Sequence, residues 1–342
     1  MTRTLPTRLL RTCGALALAL AASVVIASRI GAVPVSTADV LALLGQKLLH
    51  LGDGPSQQLQ TILWEIRFPR VILAAVVGCA LSVAGGALQG MLLNPLADPY
   101  LVGVSAGAAV GASLAIAQGW THAWGGFALP GLAFLGALIT IIVVYRLALR
   151  EGRVPVESFI LAGVVVGSFM WAMVSFIMTQ ADQLSLVAFW LMGNLGQESG
   201  WTPVAIALPV VAVGAIGIYA CSRDLNLLGL GEEAAQQLGV EVEWTKRVII
   251  ALTALVTAAA VCVSGIIGFV GLVTPHIARR LFGADHRLLL PAAGLLGAIF
   301  LIWADALARV VLAPMELPVG VITALLGAPF FCYLLYARRP HG

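Results

Sequence analysis

Charge is what this sequence has least of. Asp, Glu, Lys and Arg make up 10% of its 342 residues, while 60% are hydrophobic. A water-soluble domain covers its core with charge, so this composition excludes one and makes a bilayer the main solvent.

Other absences exclude whole kinds of chemistry. No G-x-x-x-x-G-K-[ST] occurs, so the chain has no phosphate-cradling loop of its own, and any ATPase must be another chain. His50, His122, His276, His286 and His341 show no H-E-x-x-H or other metal spacing. Cys13, Cys79, Cys221, Cys262 and Cys332 stand singly, without C-x-x-C, and read as small buried hydrophobes. No basic groove with interleaved aromatics points to nucleic acid. "GVSAG", Gly103 to Gly107, matches G-x-S-x-G, but a nucleophile elbow needs a strand and a sharp turn; in an apolar helical run Ser105 is no hydrolase nucleophile. The carboxylates fall in loops or near span ends, whereas ion-coupled carriers hold one at depth. Ion-coupled secondary transport is therefore the alternative reading. With no Ser/Pro-rich linker and no low-complexity tail, residues 1–342 read as a single transmembrane domain.

What the chain does have is apolar runs of about 20 residues, the length that crosses a hydrocarbon core of about 30 Å. They lie near 10–30, 68–92, 100–118, 125–148, 158–179, 201–221, 247–263, 265–282, 288–308 and 317–337. The expected fold is all-α: a polytopic membrane protein of about ten transmembrane helices, the eighth short or broken, with a short cytoplasmic helix. The first run also fits a signal peptide, ranked second because no exported soluble domain follows. Of 19 Lys and Arg, five (Arg29, Lys47, Arg67, Arg70, Arg309) fall on one side, and the other 19 − 5 = 14 fall with the N-terminus. By the positive-inside rule both termini are cytoplasmic. Residues 31–66 carry helical periodicity and read as an outer surface helix or a plain connector.

Small residues recur every four positions at Gly78, Ser82, Gly86 and Gly90, and again at Gly103, Gly107 and Gly111. In lipid such seams let helices approach closely. The short turn "LLNPLADPY" between them predicts that the two spans pack on each other. A faint echo of "RVILAA" at Arg70 in "RVIIAL" at Arg247 hints at an inverted repeat.

One polar patch interrupts the oil: "LGLGEEAAQQLG", Leu228 to Gly239. Glu232 and Glu233 suit the positive end of a helix dipole, Gly239 closes the helix, and Leu230, Ala234 and Leu238 recur on one face. Such a ridge seats in the groove of a soluble partner or lies on lipid headgroups.

Several stretches together resemble the FecCD-type permeases of ABC importers, which carry heme, cobalamin or ferric siderophores. They are "RFPR" from Arg67, "GALQGMLLNPLADPYLVGVSAGAAVGA" from Gly86, "FWLMGNL" from Phe189, "LNLLGLGEEAAQQLGV" from Leu225, "GIIGFVGLVTPHIARRLFG" from Gly265 and "LPVGVITALLGAPFFCYLL" from Leu317. The resemblance implies a permease in a bacterial inner membrane. It works as a dimer, usually of identical copies, with two cytoplasmic ATPase subunits and a periplasmic substrate-binding protein. It binds no cofactor itself, ATP and Mg being used by the partner ATPase. Alternating access moves the chelate.

By the same resemblance, residues 222–246 hold the ATPase-coupling segment, with Leu228, Leu230, Gly231, Glu232, Glu233, Ala234, Ala235, Leu238 and Gly239 in the matching stretch. Arg67, Arg70 and Arg309 match positions that dock the binding protein; as interfacial residues they also suit snorkelling anchors. Asn94, Pro95 and Leu96 match a cytoplasmic gate, although Asn-Pro equally favours a structural turn. Pro155 and Val156 depart from the small polar residues of relatives, which leaves a gate there unassigned. His276 matches a family motif without reading as a ligand.

Overall fold

In hydrocarbon, backbone N–H and C=O groups find partners only within their own chain, and helices provide them locally. The computed structural model describes residues 5–337 apart from 32, 52, 53, 122 and 197–199. Arg3, Arg338 and Arg339, three of the charges used for orientation, lie outside the described residues.

The elements run α1 (Leu5–Arg29), α2 (Thr37–Leu49), α3 (Gln57–Thr61), a π-helical turn (Ile62–Arg67), α4 (Phe68–Met91), a 3-10 turn (Pro99–Val102), α5 (Val104–Ala117), α6 (Ala128–Ala148), α7 (Val156–Gln180), α8 (Leu184–Leu191), α9 (Thr202–Ala220), α10 (Ser222–Leu228), α11 (Glu232–Gln237), α12 (Val242–Ser264), α13 (Val270–Phe282), α14 (His286–Ala308) and α15 (Val319–Ala337). Among the described residues there is no strand, only an isolated bridge between Arg150 and Arg153.

Among the described residues, seven helices are long and apolar enough to cross a membrane: α1, the continuous run from α3 through α4, α6, α7, α9, α12 and α14. The other three expected spans are α5 with 14 residues, α13 with 13 and α15. At about 1.5 Å per residue, α13 covers only some 20 Å of a core about 30 Å thick. The break lies before it. Gly265 (φ 68°) and Phe269 (φ 69°) turn the backbone between α12 and α13. The intervening groups are satisfied by protein: the Tyr100 hydroxyl donates to Ile267 O at 3.1 Å, and Asn194 N donates to Ser264 O at 2.8 Å.

The glycine seams are close-packing surfaces, but they do not face each other. A Cβ on Gly78 would collide with the Gly297 carbonyl of α14, and Gly86 and Gly90 lie against Leu290 and His286 of that helix. Gly107 and Gly111 press on the Gly136 and Leu132 carbonyls of α6, while Gly103 faces Thr140 of α6 and Gly163 of α7. Thus α4 pairs with α14 and α5 with α6, correcting the expectation of one tight α4–α5 pair. Spacing identifies a seam, whereas the partner is set by the turn that carries α5 away from α4. Buried along nearly its whole length, α4 is the axis of the bundle.

Within residues 31–66 the chain is helical over Thr37–Leu49 and from Gln57 onward. Ser36 and Asp39 form a capping box that starts α2, and Val40 and Leu43 bury against Leu63 and Phe68. Ser105 sits buried inside α5, with no strand before it.

Candidate functional site

The polar patch forms a helical hairpin. Chain enters through α10, turns at Gly229–Gly231 and runs back as α11. Gly231 (φ 103°) and Gly239 (φ 86°) adopt backbone conformations that L residues rarely take, which accounts for glycine at both ends. Leu228, Ala235 and Val240 bury together beneath the hairpin, with Leu227 and Val242 alongside. Leu230 and Leu238 point away from that cluster, 65% and 56% exposed, and Ala234 between them is half-buried.

A cation holds the hairpin down. Lys246 of α12, almost fully buried, pairs with Glu232 at 2.5 Å and with Glu243 at 3.4 Å. Glu243 also accepts the Val154 N–H at 3.0 Å, and Arg247 donates to Gly152 O at 2.6 Å. The hairpin, the start of α12 and the 149–155 loop are therefore tied to one another. A polar cleft of about 870 Å³ opens beside it, lined by Glu233, Gln236, Trp244, Arg247 and Arg153. Sequence reading missed Lys246, whose neighbours in the chain give no sign of burial.

At the same end of the bundle lies the turn after α4. Asn94 Oδ1 accepts the Leu96 N–H at 2.9 Å, an Asx turn that carries the chain past Pro95. Leu93 (φ 50°) and Leu96 are exposed. Gln89, one turn earlier, fixes this turn to the fold: its Nε2 donates to Ala97 O at 3.4 Å and to Gly271 O at 3.3 Å, and its Oε1 accepts both Nη groups of Arg279 at 3.2 Å.

At the opposite end, Arg67, Arg70 and Arg309 come together, but not as exposed charges offered to a partner. Arg67 and Arg309 are 6% and 7% exposed. Arg67 donates to Ser28 O at 3.2 Å, to Arg29 O at 3.0 Å and to Val33 O; Arg309 donates to Ala27 O at 3.2 Å and Ile30 O at 2.6 Å. Two guanidinium groups thus cap the C-terminal carbonyls of α1, which have no partners within the helix. Arg70 binds Asp305 at 3.0 Å and the half-exposed Glu316 at 2.7 Å. Their departure from the positive-inside trend reflects these internal partners. Asp305, the buried carboxylate of this cluster, sits in the last turn of α14 four residues before Arg309, a spacing visible in the sequence although its pairing with Arg70 is not.

His276 packs edge-on to Phe330 and Phe331, each with ring centroids 6.2 Å away. Among the described residues no group of three or more His, Cys, Asp or Glu is gathered as a metal site.

Comparison with known proteins adds to this geometry. The model of the FecCD transport family matches residues 18–337. The cobalamin import system permease protein BtuC of Halobacterium salinarum is 46% identical over 287 residues, 84% of this chain and 76% of that protein. The hemin transport system permease protein HmuU of Yersinia pestis is 43% identical over 286 residues, 80% of this chain and 83% of its own. A solved chain assigned to a metal-chelate type ABC transporter, in an inward-facing conformation, superposes with a TM-score of 0.83 at 31% identity. That match covers 96% of this chain and 99% of the other.

Proposed function

This chain belongs to the FecCD transport family, a family of multi-pass membrane permeases of ABC importers, and we propose that it moves a metal chelate of the heme, cobalamin or ferric siderophore kind across a bacterial inner membrane. Two copies form the pathway along their shared axis, with two ATPase subunits on the cytoplasmic side and a substrate-binding protein on the periplasmic side. The hairpin end is cytoplasmic, as are both termini.

The observation that carries this reading is the α10–α11 hairpin: two exposed leucines flanking a short polar helix that is anchored from beneath by buried Ala235 and pinned by Lys246. A ridge so fixed transmits force from a groove that grips it. ATP-driven closure of the ATPases draws the hairpins together and swings the spans between two states as rigid bodies. Leu93 and Leu96 beside Asn94 and Pro95 stand where such a swing closes the inner mouth. The periplasmic end receives the binding protein; Arg67, Arg70 and Arg309 serve it from within, by holding the rim in shape.

The test is reconstitution. Liposomes holding this chain and its ATPase, supplied with the binding protein, accumulate the chelate only with ATP and Mg. Uphill uptake by this chain alone, driven by an ion gradient, would overturn the proposal.

A further inference from the structure

Asn226 lies in the described coupling segment, yet its side chain points into the bundle. Its Nδ2 donates to Asp285 Oδ1 at 2.7 Å. Its Oδ1 accepts the His286 backbone N–H at 2.8 Å and lies 2.8 Å from His286 Nδ1. One amide thus clamps α10 to the first turn of α14, where Asp285 is also the N-cap, accepting the Arg287 N–H.

The acceptor at Asn226 requires the proton of neutral His286 on Nδ1, which leaves Nε2 as an acceptor. That Nε2 is buried without a hydrogen-bond partner. It is pressed on α4 at Gly90, where a Cβ would collide with it. An unpaired buried nitrogen costs free energy, and the bare backbone of Gly90 is what lets the ring sit so close. The preceding residue, Gln89, grips the Asn94–Ala97 turn and α13: its carbonyl accepts the Asn94 N–H at 3.2 Å and its amide reaches Ala97 and Gly271. An unbroken set of contacts therefore runs from hairpin to turn through Asn226, His286, Gly90 and Gln89.

We infer that Asn226 is the positioning residue that delivers movement of the α10–α11 hairpin to the Leu93–Ala97 turn, through the His286 ring seated on Gly90. This rests on the coupling role proposed above for the hairpin. Other links leave the hairpin through α9 and Lys246, so the claim concerns which of them reaches this turn.

The test uses the permease–ATPase complex in liposomes, with a fluorophore placed at Gln237→Cys, exposed on α11 and off the leucine ridge, in one preparation and Leu93→Cys in another, in a background with the five native cysteines replaced. In the parent protein both probes respond to ATP with Mg. In Asn226→Leu, which removes all three contacts, the Gln237 probe responds as before. The Leu93 response and the chelate moved per ATP both fall at least fivefold. Asn226→Asp places a carboxylate against Asp285 and behaves likewise. Asn226→Asp with Asp285→Asn reverses donor and acceptor, keeps the net charge, and restores both readouts to within twofold.

Asn226→Leu with both readouts within twofold of the parent overturns the inference. If that variant does not assemble, the paired swap decides: an assembled swap that leaves the Leu93 probe silent overturns it as well. A silent Gln237 probe in the parent protein sinks the coupling role itself, a distinct result.

Discussion

Arg70 of α4 donates its Nε–H to Asp305 of α14 at 3.0 Å, and Asp305 in turn lies 3.1 Å from Nε of Arg309, so one buried carboxylate neutralises two guanidinium groups. Arg67 stands nearby, bonded to the backbone carbonyls of Ser28 and Arg29. An arginine keeps its charge at any accessible pH. The cluster therefore depends on Asp305 far more than on Glu316, which is half in solvent.

Asp305→Asn keeps the shape but removes the carboxylate paired with buried Arg309 and leaves Arg70 with the half-exposed Glu316 alone. A loss of about 3–5 kcal/mol is expected, as for other broken buried pairs, while Glu316→Gln costs at most about 1 kcal/mol. Thermal unfolding in detergent checks both. Equal effects would show that Asp305 is not the centre of the cluster.

Capture of the binding protein should separate the same residues differently. Arg67→Ala and Arg309→Ala release the end of α1 and the chain that follows it, weakening capture together with stability. Glu316→Gln changes neither fold nor rim shape, so binding-protein affinity measured on immobilised permease stays within about threefold. A large affinity loss in Arg67→Ala at unchanged thermal stability would return that arginine to direct docking.

The α4–α14 contact yields a packing prediction. A side chain at Gly78 meets the backbone of Gly297 and the Leu301 Cβ, 2.9 Å from where a Cβ would stand, whereas Gly14 on α1 has nothing within 4 Å. Gly78→Leu is expected to destabilise by about 1–3 kcal/mol or to prevent folding, and Gly14→Leu to be neutral. Yield and melting temperature of the two variants decide it.

These cases show what the sequence made legible. Helices, the seams and the glycine-bracketed start and stop of α11 follow from periodicity and local backbone chemistry, which act within a few residues. The partner of each seam lies on another helix, Arg67 and Arg309 reach carbonyls 34 to 282 residues back, and the pairs Arg70–Asp305, Arg279–Gln89 and His286–Asn226 join residues 60 to 235 apart. No spacing rule reaches that far. The short α13 was readable as a Gly/Pro-rich weak span, but the residues that satisfy its broken backbone, Tyr100 and Asn194, were not.

The hairpin divides into residues that build it and residues that show a face, and the two classes should fail differently. Ala235 is fully buried against Leu228 and Val240; Ala235→Asp places an unpaired carboxylate there and should unfold the hairpin, read as new protease cleavage between α10 and α12. Leu230→Asp with Leu238→Asp alters only exposed positions, so cleavage and melting temperature stay as in the parent. Each leucine lost from a gripped ridge removes about 1–2 kcal/mol of association, and together they should lower co-purification of the ATPase tenfold or more. Ala234→Arg, half-buried between them, should keep the spans folded and still abolish uptake. Full ATPase recovery and uptake in the double Asp variant would mean that the ridge touches lipid headgroups rather than a protein groove.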